Sequence, residues 1–185
     1  MPAISRATKI AKQILRDESV DSAPVRIERI AKRYAHVVRQ ELPPDVSGML
    51  VPLATGTSEF PWAIVVNQED AEVRQRFTIA HELGHLLLHR YTTPHADAGY
   101  KVRFRDQVSS EGSVREEIEA NQFAAELLMP EDLILSYLVK VGFDYASPDT
   151  DDTAAKKLAS IASKFEVSIQ SLSFRIANLA HSGAQ

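Results

Sequence analysis

The chain has 185 residues, of which 44% are hydrophobic, and a net charge of −4 at neutral pH. It contains no cysteine, which excludes disulfides, thiolate metal sites and cysteine nucleophiles. Its apolar runs are too short for a membrane span or a secretory signal, and its charge gives no general reason to expect nucleic acid. We therefore predict a protein of the cytoplasm without a membrane partner.

The first part of the chain predicts two helices followed by three short strands. Apolar residues recur at helical spacing over residues 4–15, and a second helix is expected over residues 24–34. Three strands are then predicted, over residues 36–42, 47–51 and 62–67. These elements do not alternate as βαβ units do, so the expected fold class is α+β.

The third of these strands follows Pro61, and a proline at the start of a strand is tolerated at the edge of a sheet. An edge strand can bind an extended peptide by adding it to the sheet as a further strand. We therefore expect a peptide substrate to lie along Trp62, Ala63, Ile64, Val65 and Val66. The alternative is that this strand is only the edge of the sheet.

Residues 76–89 have the sequence RFTIAHELGHLLLH, which contains the motif H-E-x-x-H. Residues four apart share a helix face, so His81 and His85 can each direct one ring nitrogen at the same metal ion. Glu82 lies about 100° around the helix from His81, where its carboxylate can act as a general base toward water. The alternative is a buried core helix whose histidines are only hydrogen-bonded. Composition alone produces this motif in about one such chain in a few hundred, which favours a metal site.

A catalytic zinc site usually takes a third protein ligand, and the helix predicted over residues 113–129 offers several carboxylates. On a helical wheel, Glu117 lies at the edge of the apolar face, with Asn121 one turn further along. Glu119 and Glu126 lie on the opposite side, which we expect to face water. Glu117 is therefore the predicted third ligand, and Asn121 is predicted to accept a hydrogen bond from a ligand histidine.

The start of that helix is marked by Ser113 and Glu116, which have the spacing of a capping box. A further helix is predicted over residues 131–141, followed by a polar linker. The linker divides the chain into an expected domain of residues 1–145 and a C-terminal helical pair, residues 146–185, packed on the same domain.

The C-terminal pair resembles a helix-turn-helix, with Ser168 as the N-cap of its second helix. That helix has only Arg175 as a cation, whereas DNA binding depends mainly on neutralising phosphates. DNA binding is therefore not expected. The alternative function is a zinc-containing regulator that binds DNA or a protein without turnover, although a structural metal site would not need Glu82.

The sequence RFTIAHELGHLLLH of residues 76–89, which we call the metal helix, and the sequence EIEANQFAAELLMP of residues 117–130 together resemble the ImmA/IrrE family. Members of this family are zinc metallopeptidases of the zincin class that cleave transcriptional repressors. The resemblance covers roughly residues 40–135 and implies that His81, His85 and Glu117 hold one Zn²⁺ and that Glu82 is the catalytic base. It also implies a small sheet packed on the metal helix, of three strands, or of four if the alternating residues 101–105 form one.

The same resemblance predicts the partner. Family members often carry an N-terminal DNA-binding domain, for which this chain has no room. We therefore expect a separate repressor-like transcription factor as the substrate of a zinc-dependent endopeptidase that makes a limited, regulatory cut.

Overall fold

The computed structural model describes residues 5–53, 60–89, 95–97, 110–143 and 152–183. Within these ranges the chain forms seven helices and four strands. In chain order they are α1 (Arg6–Asp17), α2 (Ile27–Ala31), β1 (His36–Gln40), β2 (Gly48–Pro52), β3 (Trp62–Asn67), α3 (Glu72–Leu88), β4 (His95–Asp97), α4 (Ser110–Leu128), α5 (Glu131–Val141), α6 (Asp152–Phe165) and α7 (Ile169–Gly183). Among the described helices, none has both the length and the apolar character needed to cross a bilayer.

The chain divides into two compact units, one of which is Arg26–Ala124. Its sheet has the strand order β1-β3-β2-β4, in which β1 and β3 are parallel and the other neighbours antiparallel. Helix α3, which carries H-E-x-x-H, packs on β2 and β3. The buried side chains of this unit include Leu50, Ile64, Ile79 and Leu83. The predicted α+β, zincin-like fold is confirmed.

The fourth strand of the sheet is β4, which pairs with β2 through Gly48 to Leu50. The alternating residues 101–105, which were expected to supply such a strand, lie outside the described residues. Among the described strands, β1 and β4 are the outer ones.

The prediction that the third strand lies at the edge of the sheet is wrong. β3 pairs with β1 along one side and with β2 along the other, over five residues each. Its main-chain groups are engaged on both sides, so it cannot add a substrate strand through Trp62, Ala63, Ile64, Val65 and Val66. Pro61 precedes the first paired residue and blocks no hydrogen bond of the ladder, which is why a proline here does not mark an edge.

The other unit comprises residues 1–25 and 125–185, and two ion pairs connect its helices. Lys12 Nζ on α1 donates to Glu131 Oε2 on α5 at 2.7 Å. This hydrogen bond raises the pKa of Lys12 and lowers the pKa of Glu131. Arg175 Nη2 on α7 donates to Glu126 Oε2 at 2.6 Å, while Arg175 Nε donates to the carbonyl of Met129 at 3.1 Å.

The prediction that Glu126 faces water is also wrong, since only 2% of its surface is exposed. The helical wheel places it correctly, on the side of α4 opposite Glu117. That side is buried, however, because Arg175 of α7 lies against the carboxylate and compensates its charge.

Two predicted helix starts also differ from the structure. Helix α4 begins at Ser110, three residues before the predicted start at Ser113. Helix α2 is limited to Ile27–Ala31, because the backbone of Arg26 is outside the helical region at φ −79° and ψ 67°.

Farther along the chain, the predicted helix over residues 131–141 is confirmed as α5. Ser168 accepts a hydrogen bond from the Ser171 N–H at 3.0 Å, as predicted for the N-cap of α7. The predicted domain boundary at residue 145 falls within residues 144–151, outside the described part of the chain, and stays a prediction.

Candidate metal centre

The two histidines of H-E-x-x-H lie on the same face of α3, as their spacing predicts. His81 and His85 are both buried, and their Nε2 atoms are 2.9 Å apart. Two ring nitrogens that converge from successive helical turns can supply two of the four ligands of a tetrahedral zinc ion.

Glu117 of α4 faces both histidines. Its Oε2 is 3.3 Å from Nε2 of His81, and its Oε1 is 3.1 Å from Nε2 of His85. One ligand atom from each of the three residues lies within 4.8 Å of the others. Two imidazole nitrogens and one carboxylate are a donor set found in catalytic zinc sites, so the residues present fit a divalent metal ion. The structure thus brings together the three predicted ligands.

Asn121 lies one turn beyond Glu117, and its Oδ1 is 3.1 Å from Nδ1 of His81. An amide oxygen only accepts hydrogen bonds, so in a neutral His81 ring this contact places the hydrogen on Nδ1 and the lone pair on Nε2. This is the tautomer that a metal ligand requires, and the hydrogen bond also fixes the orientation of the ring. Asn121 is therefore placed as predicted.

Glu82 is fully buried next to His81 on α3. Strand β2 passes directly over it at Gly48. A Cβ atom at Gly48 would collide with Cγ2 of Thr78 and lie 3.5 Å from Cγ of Glu82. Glycine at this position lets the strand approach the helix closely enough to cover the Glu82 side chain.

Gly84, inside the motif, has the same role on the side of α4. A Cβ atom there would lie 3.0 Å from Cδ1 of Phe123 and 3.2 Å from Cα of Ala120. The absence of a side chain therefore lets α4 approach α3, which brings Glu117 within reach of the histidines.

Neither glycine was predicted from the sequence to have a role. For Gly84 the sequence did contain an indication of close packing, because a glycine inside a helix costs about 1 kcal/mol relative to alanine and usually has a packing reason.

Glu119, the carboxylate most easily confused with Glu117, takes no part in the cluster. It lies on another face of α4, where its Oε1 is 3.1 Å from Nε of Arg115. The described residues contain no other group of three metal-binding side chains.

The comparisons with known proteins agree with this geometry. The family model of peptidase M78, the IrrE N-terminal-like domain, matches residues 31–177. A search of curated proteins found no match. The matched range includes all of α3 and α4 and most of α7. It covers well over half of the chain. The protein therefore belongs to the ImmA/IrrE family of metallopeptidases, M78.

Proposed function

We propose that the protein is a zinc-dependent endopeptidase that makes a limited cut in a repressor-like transcription factor. The observation that carries this proposal is the convergence of His81, His85 and Glu117, whose ligand atoms lie within 4.8 Å of one another. The buried Glu82 beside them adds the group that a purely structural site would not need.

The residues of the cluster have separate roles in such a reaction. His81, His85 and Glu117 would hold the zinc ion, and Asn121 keeps the His81 ring in the ligating tautomer. When bound, the ion supplies a Lewis acid that lowers the pKa of water and polarises a carbonyl. Glu82 accepts the proton of the attacking water and passes it to the nitrogen of the leaving amine.

Membership of the ImmA/IrrE family supports a repressor-like substrate, because the family resemblance implies peptidases that cleave transcriptional repressors. The competing function, DNA binding by the C-terminal helices, has little support. Arg175 is the only Arg or Lys in residues 169–183, and its guanidinium binds Glu126 and the carbonyl of Met129. Little positive charge is left on α7 to neutralise phosphates.

The proposal is tested by incubating the purified, zinc-loaded protein with repressor-like proteins encoded in the same genome, with and without a chelator. We expect one discrete cut in one of these proteins, little digestion of casein, and no cut in the chelated sample. Electrophoresis and mass spectrometry of the fragments measure both results. Broad digestion of unfolded proteins at comparable rates would contradict a regulatory role.

Two variants separate chemistry from metal binding. Glu82→Gln should keep about one zinc ion per chain and lose cleavage by at least about 100-fold, since it removes the general base. His81→Ala should lose the metal itself. Undiminished cleavage by Glu82→Gln would disprove the mechanism, and metal without any cleavage in the native protein would favour a regulator without turnover.

A further inference from the structure

Two aliphatic side chains on α4 are exposed next to the candidate metal centre. Val114 is 39% exposed and Ile118 is 51% exposed, one helical turn apart. With about 100° per residue, they lie about 60° and 100° around the helix from Glu117, on the same side of it. Single exposed apolar residues are normal on a protein surface, but two that share a stripe beside a metal ligand form a small apolar surface at that site.

Within the part of the chain that the structure describes, the metal cluster is exposed on the side on which this apolar surface lies. His81, Glu82 and His85 are buried, whereas 38% of the Glu117 side chain is exposed. Within the described residues, Glu117 is therefore the exposed member of the cluster, and the surface around Glu117 borders the entrance.

The other flank of Glu117 on α4 is closed. Ala120 lies about 60° from Glu117 in the opposite direction, and its backbone packs against Gly84 of α3. Farther round on that flank, the carbonyl oxygen of Glu116 is 3.3 Å from Nε2 of His89. Among the described residues, the exposed flank of Glu117 on α4 is therefore the one with Val114 and Ile118, and a peptide that lies along this flank would contact both side chains.

We propose that Val114 and Ile118 bind an apolar side chain of the substrate next to the scissile bond, and thus determine specificity; this proposal rests on the peptidase function proposed above. The occupant is an uncharged, aliphatic or aromatic residue of an extended peptide. A charged residue is disfavoured, because it would lose water against two β-branched side chains that offer no hydrogen bond.

The experiment uses a mixture of capped random-sequence peptides as the probe. The zinc-loaded, full-length protein is incubated with the mixture, and mass spectrometry of the fragments gives the residue preference at each position around the cut. We expect one position flanking the cut to favour apolar over charged residues by about tenfold or more.

The informative variant is Ile118→Lys, which places a positive charge on the apolar surface without disturbing a buried residue. Its apolar preference should fall and acidic residues should become favoured at the same position, while its zinc content stays that of the native protein. Val38→Lys is the matched control, since Val38 is 42% exposed on β1 and takes no part in the metal cluster. Its preference should equal that of the native protein.

The remaining outcomes distinguish a failure of this specificity proposal from a failure of the peptidase function. An unchanged preference in Ile118→Lys, or a native preference without apolar bias, would overturn the proposal while leaving the peptidase function intact. The absence of all fragments from zinc-loaded native protein would overturn the peptidase function and this proposal with it. If Ile118→Lys loses its fold or its zinc, Ile118→Ala and Val114→Ala replace it, and each should reduce kcat/KM for apolar peptides by about tenfold.

Discussion

Two of the carboxylates on helix α4 have very different surroundings, Glu117 near the middle of the helix and Glu126 near its end. Glu126 is 2% exposed and lies 2.6 Å from the guanidinium of Arg175, so its charge is already compensated by a cation of the chain. Glu117 is partly exposed and faces the rings of His81 and His85. The chain thus supplies a permanent cation to Glu126, whereas these two contacts of Glu117 are with imidazole nitrogens.

This difference separates a carboxylate held in an ion pair from a candidate metal ligand. A carboxylate that faces two converging imidazole nitrogens completes the set of donors that a catalytic zinc site uses. A carboxylate that faces a guanidinium has no such capacity left. Burial alone would have selected the wrong residue, because Glu126 is the more buried of the two.

The largest expected effect concerns the compensated carboxylate. Arg175→Met should reduce the free energy of unfolding by about 3–5 kcal/mol, because it leaves Glu126 buried without its cation. Urea unfolding at neutral pH measures this loss. The double variant Glu126→Leu/Arg175→Met is the control and should be more stable than the single variant, because no unpaired charge stays buried. A single variant as stable as the native protein would show that the ion pair does not hold α7 to α4.

The next effect concerns the metal ligand. Glu117→Gln should weaken zinc binding by more than about 100-fold, which exceeds the usual cost of losing a supporting hydrogen bond around a metal site. Glu119→Gln is the matched control and should bind zinc as the native protein does, since Glu119 pairs with Arg115 on another face of the helix. Competition with a chromophoric chelator measures both affinities. The opposite ranking of the two variants would refute the assignment of Glu117.

A smaller effect is expected at the residue that orients His81. Asn121→Ala should weaken zinc binding by about 10- to 100-fold, because the ring loses the acceptor that fixes its tautomer and orientation. Asn121→Asp keeps an acceptor oxygen at the same place and should retain most of the affinity. Calorimetric titration with zinc distinguishes the two variants, and equal losses in both would show that Asn121 acts through packing alone.

The smallest effect is a pH dependence at Glu28 of α2. The hydrogen bond from Arg39, with that from Lys32, lowers the pKa of Glu28 from 4.5 to about 2. A carboxylate with a lowered pKa stabilises the folded protein above its unfolded pKa, and this stability is lost as the pH falls from about 4.5 to about 2. Because a third of the side chain is exposed, the contribution is about 0.5 kcal/mol.

This dependence can be removed by Glu28→Gln. The variant should be less stable than the native protein by about 0.5 kcal/mol at pH 7 and equal to it near pH 2. Urea unfolding at a series of pH values measures the difference. A constant difference across that range would mean that the side chain contributes by packing and not through its charge.

Several features of the protein followed from local geometry and were predictable from the sequence. The i, i+4 spacing puts His81 and His85 on one helix face wherever the helix packs. The helical period likewise separates Glu117 from Glu119 by about 200°, so the wheel selects the correct carboxylate for the cluster. The three strands and α5 were also predicted, because their boundaries are marked by turn residues, prolines and a glycine at position 142.

Other features depend on what each element packs against, and local patterns do not contain that information. The position of β3 between β1 and β2 is decided by pairing with residues 27 positions away on one side and 10 to 18 positions away on the other, so Pro61 alone could not reveal it. Glu126, on the polar face of α4, is buried against Arg175, which lies 49 residues later in the chain and supplies a compensating charge.

The sequence by itself therefore determined the family, the fold class and the residues of the candidate metal cluster, because the motifs that carry them are residue types at fixed spacing along a helix. The tertiary structure decided which strand is central, which carboxylates are buried, and why Gly48 and Gly84 are glycines. Those properties depend on how closely elements that are remote in sequence approach each other: at Gly84 an added Cβ atom would lie only 3.2 Å from Cα of Ala120 on α4.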